Sequence, residues 1–199
     1  MTPRTATVTR ATRETSIRVS LDLDGTGKTD VKTGIGFLDH LLDALGRHAR
    51  FDLVLTCEGD LQVDDHHTAE DCALAIGEAL DTALGERRGV NRFGWALAPL
   101  DEALARTVVD LSGRPFANVA LDLRRETIGG LSCENISHVL RSLATAGRMT
   151  LHVDVLKGEN DHHRAEAAFK ATALALRQAV ARSGFDDVPS TKGTLRGDR

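Results

Sequence analysis

Asp64-Asp65-His66-His67-Thr68-Ala69-Glu70-Asp71 is the stretch from which the rest of this chain can be read. Two adjacent histidines precede a carboxylate, and apolar residues follow at helical spacing. On an α-helix, at about 100° per residue, Glu70 projects roughly 40° from His66 and about 60° from His67. One imidazole and the carboxylate, four or three residues apart, therefore reach one metal ion. The two imidazoles diverge by about 100°, so both are awkwardly placed to serve the same ion. The plain alternative is a polar helix start, with Asp65 near the cap and both histidines simply exposed.

The stretch occurs twice. Asp161-His162-His163-Arg164-Ala165-Glu166 repeats the His-His-x-x-Glu pattern 96 residues later. Behind the first copy, apolar residues fall at Ala69, Cys72, Ala73, Ile76, Leu80, Ala83 and Leu84. The same shift gives Ala165, Ala168, Phe169, Thr172, Leu176, Ala179 and Val180, apolar at all but Thr172. Upstream, Phe37-Leu38-Asp39-His40-Leu41-Leu42 aligns with Asn135-Ile136-Ser137-His138-Val139-Leu140 at a shift of 98, so His40 and His138 are a third matched pair. Three features repeated in order indicate an internal duplication.

Working outward from the motifs, hydrophobic periodicity predicts the elements of each half. In the first half, residues 5–12, 17–23 and 28–33 read as strands. Leu38, Leu41, Leu42 and Leu45 make a helical stripe, and Phe51, Leu53 and Leu55 restore a period of two. The His66 helix then runs to about Leu84 and ends in Gly85. In the second half, strands are predicted near 95–97, 104–111 and 116–123. A helix carries Ile136, Val139, Leu140 and Leu143, a strand carries Met149 to Val155, and the His162 helix runs to about Arg182. The predicted class is α+β, a duplication of two β-β-β-α-β-α halves, each a sheet with two helices on one face. The halves divide as residues 1–88 and 89–186, followed by a polar tail at 187–199. Small residues in both helix stripes imply that helices of the two halves pack together.

The chain of 199 residues is long enough for one domain of two packed halves. A net charge of −4 without a basic run argues against nucleic acid or an anionic membrane as partner. Aromatic residues are 4% and tyrosine is absent, so no stacking platform for bases is present. The first twenty residues lack the apolar core of a secretion signal, and no run approaches the ~18 apolar residues of a membrane span. Cys57, Cys72 and Cys133 are widely spaced and odd in number, which predicts reduced thiols and a cytoplasmic protein.

The two copies supply His66, His67, Glu70 and His162, His163, Glu166; His40 and His138 bring the set to eight candidate ligands. Eight ligands shared by two ions give four each. An octahedral ion would then keep open positions for substrate, as catalytic sites do. Nitrogen and carboxylate without thiolate suit Mn2+, Fe2+, Co2+ or Zn2+. His48 and His152 are left over and read as surface or satisfied core histidines.

Further segments can be set beside these motifs: Gly36-Phe37-Leu38-Asp39-His40, Arg92-Phe93-Gly94, Leu100-Asp101-Glu102-Ala103, Gly113-Arg114-Pro115-Phe116 and Pro189-Ser190-Thr191-Lys192-Gly193. Together and in this order, over essentially the whole chain, they resemble the imidazoleglycerol-phosphate dehydratases of histidine biosynthesis. The resemblance implies two Mn2+ ions held by His40, His66, His67, Glu70, His138, His162, His163 and Glu166. It implies active sites formed between subunits of a homo-oligomeric cage of 24 subunits, acting on a small phosphorylated imidazole substrate. It also implies that Glu14 contacts substrate and serves as acid or base, with Glu70 and Glu166 able to relay protons. Arg92, Arg114, Ser190 and Lys192 would hold the phosphate, where guanidinium forks match phosphate oxygens in pairs. Lys170 would pair with Glu166 or reach substrate, and Asp101 would orient a ligand from behind. Composition alone reads the tail as disordered; the resemblance implies that it orders over the substrate. Ala44 departs from the pattern, since some members of the family carry a glutamine there.

The reaction so implied is difficult for a physical reason. The proton to be lost sits on a carbon with no adjacent carbonyl, and hydroxide leaves poorly. Metal ions acidify the imidazole N–H, a carboxylic acid protonates the departing hydroxyl, and a base takes the carbon-bound proton. Other readings of the same motifs are a di-metal phosphate-ester hydrolase, a metal-storage assembly and an RNA-binding α+β domain. Product identity, mutation of a ligand and a gel shift separate them.

Overall fold

Duplication in the sequence becomes duplication in space. The computed structural model describes residues 3–195. The first half runs β1 (Thr5–Ala11), β2 (Thr15–Asp22), β3 (Thr29–Lys32), α1 (Gly36–Ala49), β4 (Asp52–Gly59) and α2 (His66–Leu84). The second runs β5 (Phe93–Leu100), β6 (Ala103–Asp110), β7 (Phe116–Ala120), β8 (Thr127–Ile128), β9 (Leu131–Ser132), α3 (Cys133–Ala146), β10 (Thr150–Lys157) and α4 (Asp161–Val180). The sheets have orders β1-β2-β4-β3 and β5-β6-β10-β7. In each, the first two neighbouring pairs are antiparallel and the last is parallel. The predicted β-β-β-α-β-α order holds in the first half, and in the second once the short β8 and β9 before α3 are set aside.

The alternation of burial along the strands explains how the layers stack. Ile17, Val19 and Leu21 of β2 point inward, as do Ala105, Thr107 and Val109 of β6. α2 lies against β1 and β2, and α4 against β5 and β6. The helices then meet across the halves, α1 on α4 and α2 on α3. One hydrophobic cluster runs through both halves, from Val8 and Ile17 to Phe169 and Leu176. The small residues of the helix stripes are what the close approach needs. A Cβ on Gly77 of α2 would lie 2.7 Å from the Leu143 carbonyl of α3, and one on Gly94 of β5 would lie 2.0 Å from the Ala175 carbonyl of α4.

The structure differs from the periodicity reading at two places. The strand predicted over 116–123 stops at Ala120, and residues 121–132 form an insertion that ends in the β8–β9 hairpin. Its turn is Gly129-Gly130, both at positive φ, which glycine adopts without a Cβ clash. The repeat spacing records this insertion. Thr15 to Ala103 is 88 residues, whereas Asp52 to Thr150 is 98. α4 also ends at Val180 rather than Arg182, because the Ala179 and Ala181 carbonyls accept the N–H groups of Arg92 and Asn91. Residues 187–195 of the expected tail form a turn-rich segment, and residues 196–199 lie outside the described part. Among the described residues, no helix is long and apolar enough to cross a membrane.

Arg87 sits where the halves join and is only 1% exposed. Its guanidinium donates to the carbonyls of Leu111 (3.1 Å), Gly147 (3.0 Å) and Arg148 (3.0 Å), and to Asp81 Oδ1 (2.5 Å). It thereby ties the ends of α2, α3 and β6 with one buried cation. Arg87→Met keeps much of the volume but orphans three carbonyls and a carboxylate. We expect it to cost about 3–5 kcal/mol of stability, read as a lower urea midpoint. A loss under about 1 kcal/mol would show that the tie is dispensable.

Candidate metal centres

Each histidine doublet opens a helix. α2 begins at His66 and α4 at Asp161, so both doublets occupy a first turn, whose N–H groups need acceptors. Asn160 Oδ1 accepts the His162 N–H (2.9 Å), and Asp64 Oδ1 accepts that of His66 (2.8 Å). Asp65, at the cap position, looks outward instead. Its carboxylate accepts the backbone N–H and hydroxyl of Ser132 at 2.6 and 2.9 Å, joining the start of α2 to the start of α3.

The first histidine of each doublet enters a three-residue cluster assembled from both halves. In one, Glu166 Oε2 of α4 lies 2.9 Å from His40 Nε2 of α1 and 3.3 Å from His162 Nε2. In the other, Glu70 of α2 lies 3.1 Å from His138 Nε2 of α3 and 3.9 Å from His66 Nε2. In each cluster the potential ligand atoms all lie within 4.8 Å of one another. The pairing of α1 with α4 and of α2 with α3 creates both. His66 Nδ1 stands 3.0 Å from Asn135 Oδ1, an oxygen that only accepts. A proton on Nδ1 satisfies this contact and turns Nε2 toward the cluster.

His67 and His163 point elsewhere, as the turn of the helix between neighbouring residues requires. His67 Nδ1 is 3.0 Å from Asp60 Oδ2, and its Nε2 is 3.7 Å from Glu14 Oε1. His163 Nδ1 is 2.7 Å from Glu102 Oε2, and its Nε2 is 3.9 Å from Asp101 Oδ2. Glu14 and Glu102 are 88 residues apart, at the same turn of the two halves. The Asp60 hydrogen bond raises the pKa of His67, and the Glu102 hydrogen bond raises that of His163. The Asn160 N–H, followed by His163, holds Glu102 at about 2. Burial pushes the Glu166 pKa up, but the Lys170 ammonium, 2.6 Å from Oε1, and His40 outweigh it and hold it at about 2. Leu74 stands at the position matching Lys170, so only one cluster has an ammonium against its glutamate.

The expected phosphate set gathers elsewhere. Arg92 grips Asp110 with two nitrogens, at 2.7 and 3.1 Å, and donates a third to the Pro189 carbonyl at 2.8 Å. Arg114 follows in the loop after β6, its N–H donating to Ser112 Oγ (3.2 Å). Ser190 and Lys192 share one turn, with the Lys192 N–H donating to Ser190 Oγ (3.2 Å). All four lie where β5 begins and β6 ends. Asp101 and Glu102, beside His163, lie at the other end of those strands, about 25 Å away for eight residues. Within one chain the phosphate set and the second cluster's neighbours are thus kept apart.

Three contributors escaped the sequence reading: Asp60, Asn135 and Glu102. Asp101 was expected behind a ligand, yet Glu102 holds His163 Nδ1, and only the repeat spacing from Glu14 could have singled it out. Ala44 is buried on α1. Burial first, then the Lys170 charge, lowers the pKa of His48. His152 stands on the outer face of the second sheet, its ring 5.5 Å from that of Phe116. The clusters fit a divalent transition metal by donor type, imidazole nitrogen with carboxylate, and by a ring nitrogen already fixed from behind.

A family model described as imidazoleglycerol-phosphate dehydratase matches residues 33–176. The imidazoleglycerol-phosphate dehydratase of Phaffia rhodozyma is 58% identical over 197 residues, covering 96% of each chain. That of Phytophthora nicotianae is 59% identical over 192 residues, which are 96% of this chain and 42% of that one, so this chain spans less than half of that relative. The crystal structure of the Staphylococcus aureus enzyme of that name matches with a TM-score of 0.81 at 32% identity, over 89% of this chain and 99% of that one. The chain belongs to the imidazoleglycerol-phosphate dehydratase family.

Proposed function

We propose that this chain dehydrates its substrate with two divalent metal ions per active site, and that a complete site needs more than one copy of the chain. The family's reaction removes water from imidazoleglycerol phosphate to give imidazole-acetol phosphate in histidine biosynthesis, and this chain is a dehydratase of that kind. The observation that carries the metal reading is the pair of His-His-Glu clusters, one built from His40, His162 and Glu166, the other from His66, Glu70 and His138. Mn2+ is the proposed ion, and the donor set also accepts Fe2+, Co2+ or Zn2+. Bound ions supply Lewis acidity that makes the substrate's ring N–H easier to lose.

The protein's own residues do the rest. Asn135, Asp60 and Glu102 fix three imidazoles so that Nε2 is the outward atom. Glu14, half exposed beside His67, is the proposed proton carrier. Glu166, held anionic by Lys170, suits ligation and proton acceptance rather than proton donation. Lys170, engaged with Glu166, sets that charge and lies one turn from the cluster. Arg92, Arg114, Ser190 and Lys192 form the proposed phosphate cradle.

Two features support sites shared between copies. His67 and His163 face away from the clusters of their own chain, free to complete those of a neighbour. The phosphate cradle lies at the end of the second sheet remote from Glu102 and His163. A symmetric homo-oligomer, proposed as the 24-subunit cage, brings such separated sets together by closing on itself. Three unpaired cysteines suit a reducing compartment, proposed as the cytoplasm.

Mn2+-loaded protein incubated with imidazoleglycerol phosphate is expected to form the ketone phosphate with no release of inorganic phosphate. Phosphate release without ketone would turn the reading into a hydrolase. Removing the metal by chelation should abolish ketone formation and lower both sedimentation coefficient and melting temperature, because ligands from different copies lose their common ion. An unchanged particle after chelation would refute intersubunit ligation. Lys192→Ala should raise KM by more than it lowers kcat, as loss of a substrate-holding charge does. An unchanged KM would remove Lys192 from the cradle.

A further inference from the structure

Because one pattern is used twice, the two His-His-Glu clusters can be compared slot by slot. Phe37 and Asn135 are 98 residues apart, the same shift that relates His40 to His138, and each stands one helical turn ahead of its own helix's cluster histidine. Each also faces the first histidine of the doublet on the opposing helix. Asn135 Oδ1 lies 3.0 Å from His66 Nδ1, whereas the Phe37 ring lies 4.9 Å from the His162 ring. One slot therefore holds a hydrogen-bonding amide and the other a phenyl group. Among the described residues, His162 Nδ1 has no hydrogen-bond partner.

The amide is itself held. The Asn135 side chain hydrogen-bonds the Asp65 carboxylate, which also accepts the Ser132 N–H and hydroxyl. A carboxylate only accepts, so the amide NH2 turns to Asp65 and the amide oxygen is left for His66. Asp65, Asn135 and His66 thus form a string that favours one ring tautomer and one ring orientation. Asp161 stands at the position matching Asp65, 96 residues on, and accepts the Arg124 and Arg125 N–H groups instead, at 2.8 and 2.7 Å. Among the described residues, no such string backs His162.

The glutamates differ in the same sense. Glu70 turns both oxygens to its cluster, Oε1 3.1 Å from His138 Nε2 and Oε2 3.9 Å from His66 Nε2. Glu166 turns only Oε2, at 2.9 Å from His40 Nε2 and 3.3 Å from His162 Nε2, because its Oε1 lies 2.6 Å from the Lys170 ammonium. A cation in the His66 cluster would meet two carboxylate oxygens and a ring locked from behind. One in the His162 cluster would meet a single oxygen, a ring with no such lock, and a nearby ammonium that repels it.

We propose that the two metal sites are unequal: His66, Glu70 and His138 bind the tighter ion, His40, His162 and Glu166 the exchangeable one, and Asp65 acts through Asn135 as a positioning residue for the tight site. The inference rests on the two-metal reading above and adds a ranking and its cause. Occupancy of the complete site then follows the surrounding metal concentration through the His162 cluster alone.

The test is equilibrium dialysis of the Mn2+-loaded full chain against a series of chelator-buffered Mn2+ concentrations, with retained metal counted by elemental analysis and sedimentation followed beside it. The expected result is loss of metal in two equal steps. Asn135→Ala should shift the tighter step by about 10–100-fold and leave the weaker step in place. A general packing defect would move both steps. Asp65→Asn should shift the same step in the same direction, since it acts through the amide. Lys170→Leu, which copies the residue at the matching position of α2, should tighten the weaker step and leave the other unmoved. Loss of both ions in one step, an Asn135→Ala effect on the weaker step or on both, or a Lys170→Leu protein with parental steps would each overturn the ranking. Two ions retained with equal affinity would sink the ranking alone. A protein that retains no ion at any concentration would sink the two-metal reading and the ranking with it.

Discussion

The constraint on which this structure depends is the close approach of helices from opposite halves. α2 meets α3 through Gly77, at a separation where even one Cβ would strike the Leu143 carbonyl, and α4 lies against β5 with the same tightness at Gly94. Interiors packed at crystal-like density have two discrete choices at such places, a small residue or a displaced backbone. Small residues are chosen here, and the consequence is chemical. The register of α1 on α4 sets His40 against Glu166, and that of α2 on α3 sets His138 against Glu70. Neither half could form a cluster alone, so a core constraint and a ligand constraint coincide.

Duplication makes the two clusters alike and then lets them diverge. Both draw a carboxylate and an imidazole from one helix turn and a second imidazole across the interface. Lys170 breaks the likeness, because its counterpart is Leu74. An ammonium 2.6 Å from Glu166 offsets the charge of that carboxylate, while Leu74 offers Glu70 no such partner. The two clusters therefore present unequal charge to any cation, and a chemistry with distinct acid and base steps profits from unequal sites. The same divergence shows at the second histidines. His163 leans on a glutamate from the β5–β6 turn, whereas His67 takes Asp60 at Nδ1 and leaves the matching Glu14 near Nε2. Glu14 is thereby released from a supporting role and stands half exposed at the edge of the site.

Most of the fold was legible in the residues because both periodicities are strong and are written twice. The strands at Ile17–Leu23 and Met149–Val155 alternate cleanly, and the α2 and α4 stripes match at a fixed shift. The β8–β9 hairpin was not legible. It is two residues per strand, too short for a period, and only the change in repeat spacing from 88 to 98 betrays it. Six of the eight ligand candidates fall into clusters: helix geometry alone joins His66 to Glu70 and His162 to Glu166, and the packing of α1 on α4 and of α3 on α2 adds His40 and His138. Asp60, Asn135 and Glu102 were missed for a common reason. A residue that holds a ligand from behind is chosen by where a loop or a facing helix passes, and no local pattern encodes that.

What separates the halves most is not the site but the surface behind it. A duplicated chain begins with two equivalent sheet faces, and equivalence is unstable under selection for solubility, since each exposed face is free to become polar. The first face took that course, with threonine and serine along β1 and β2. The second kept or gained tryptophan, phenylalanine and leucine at the same positions, a set that costs solubility unless it is covered. Arg92 and Arg114, which border it, belong to the proposed phosphate cradle and lie at the opposite end of β5 and β6 from Glu102 and His163.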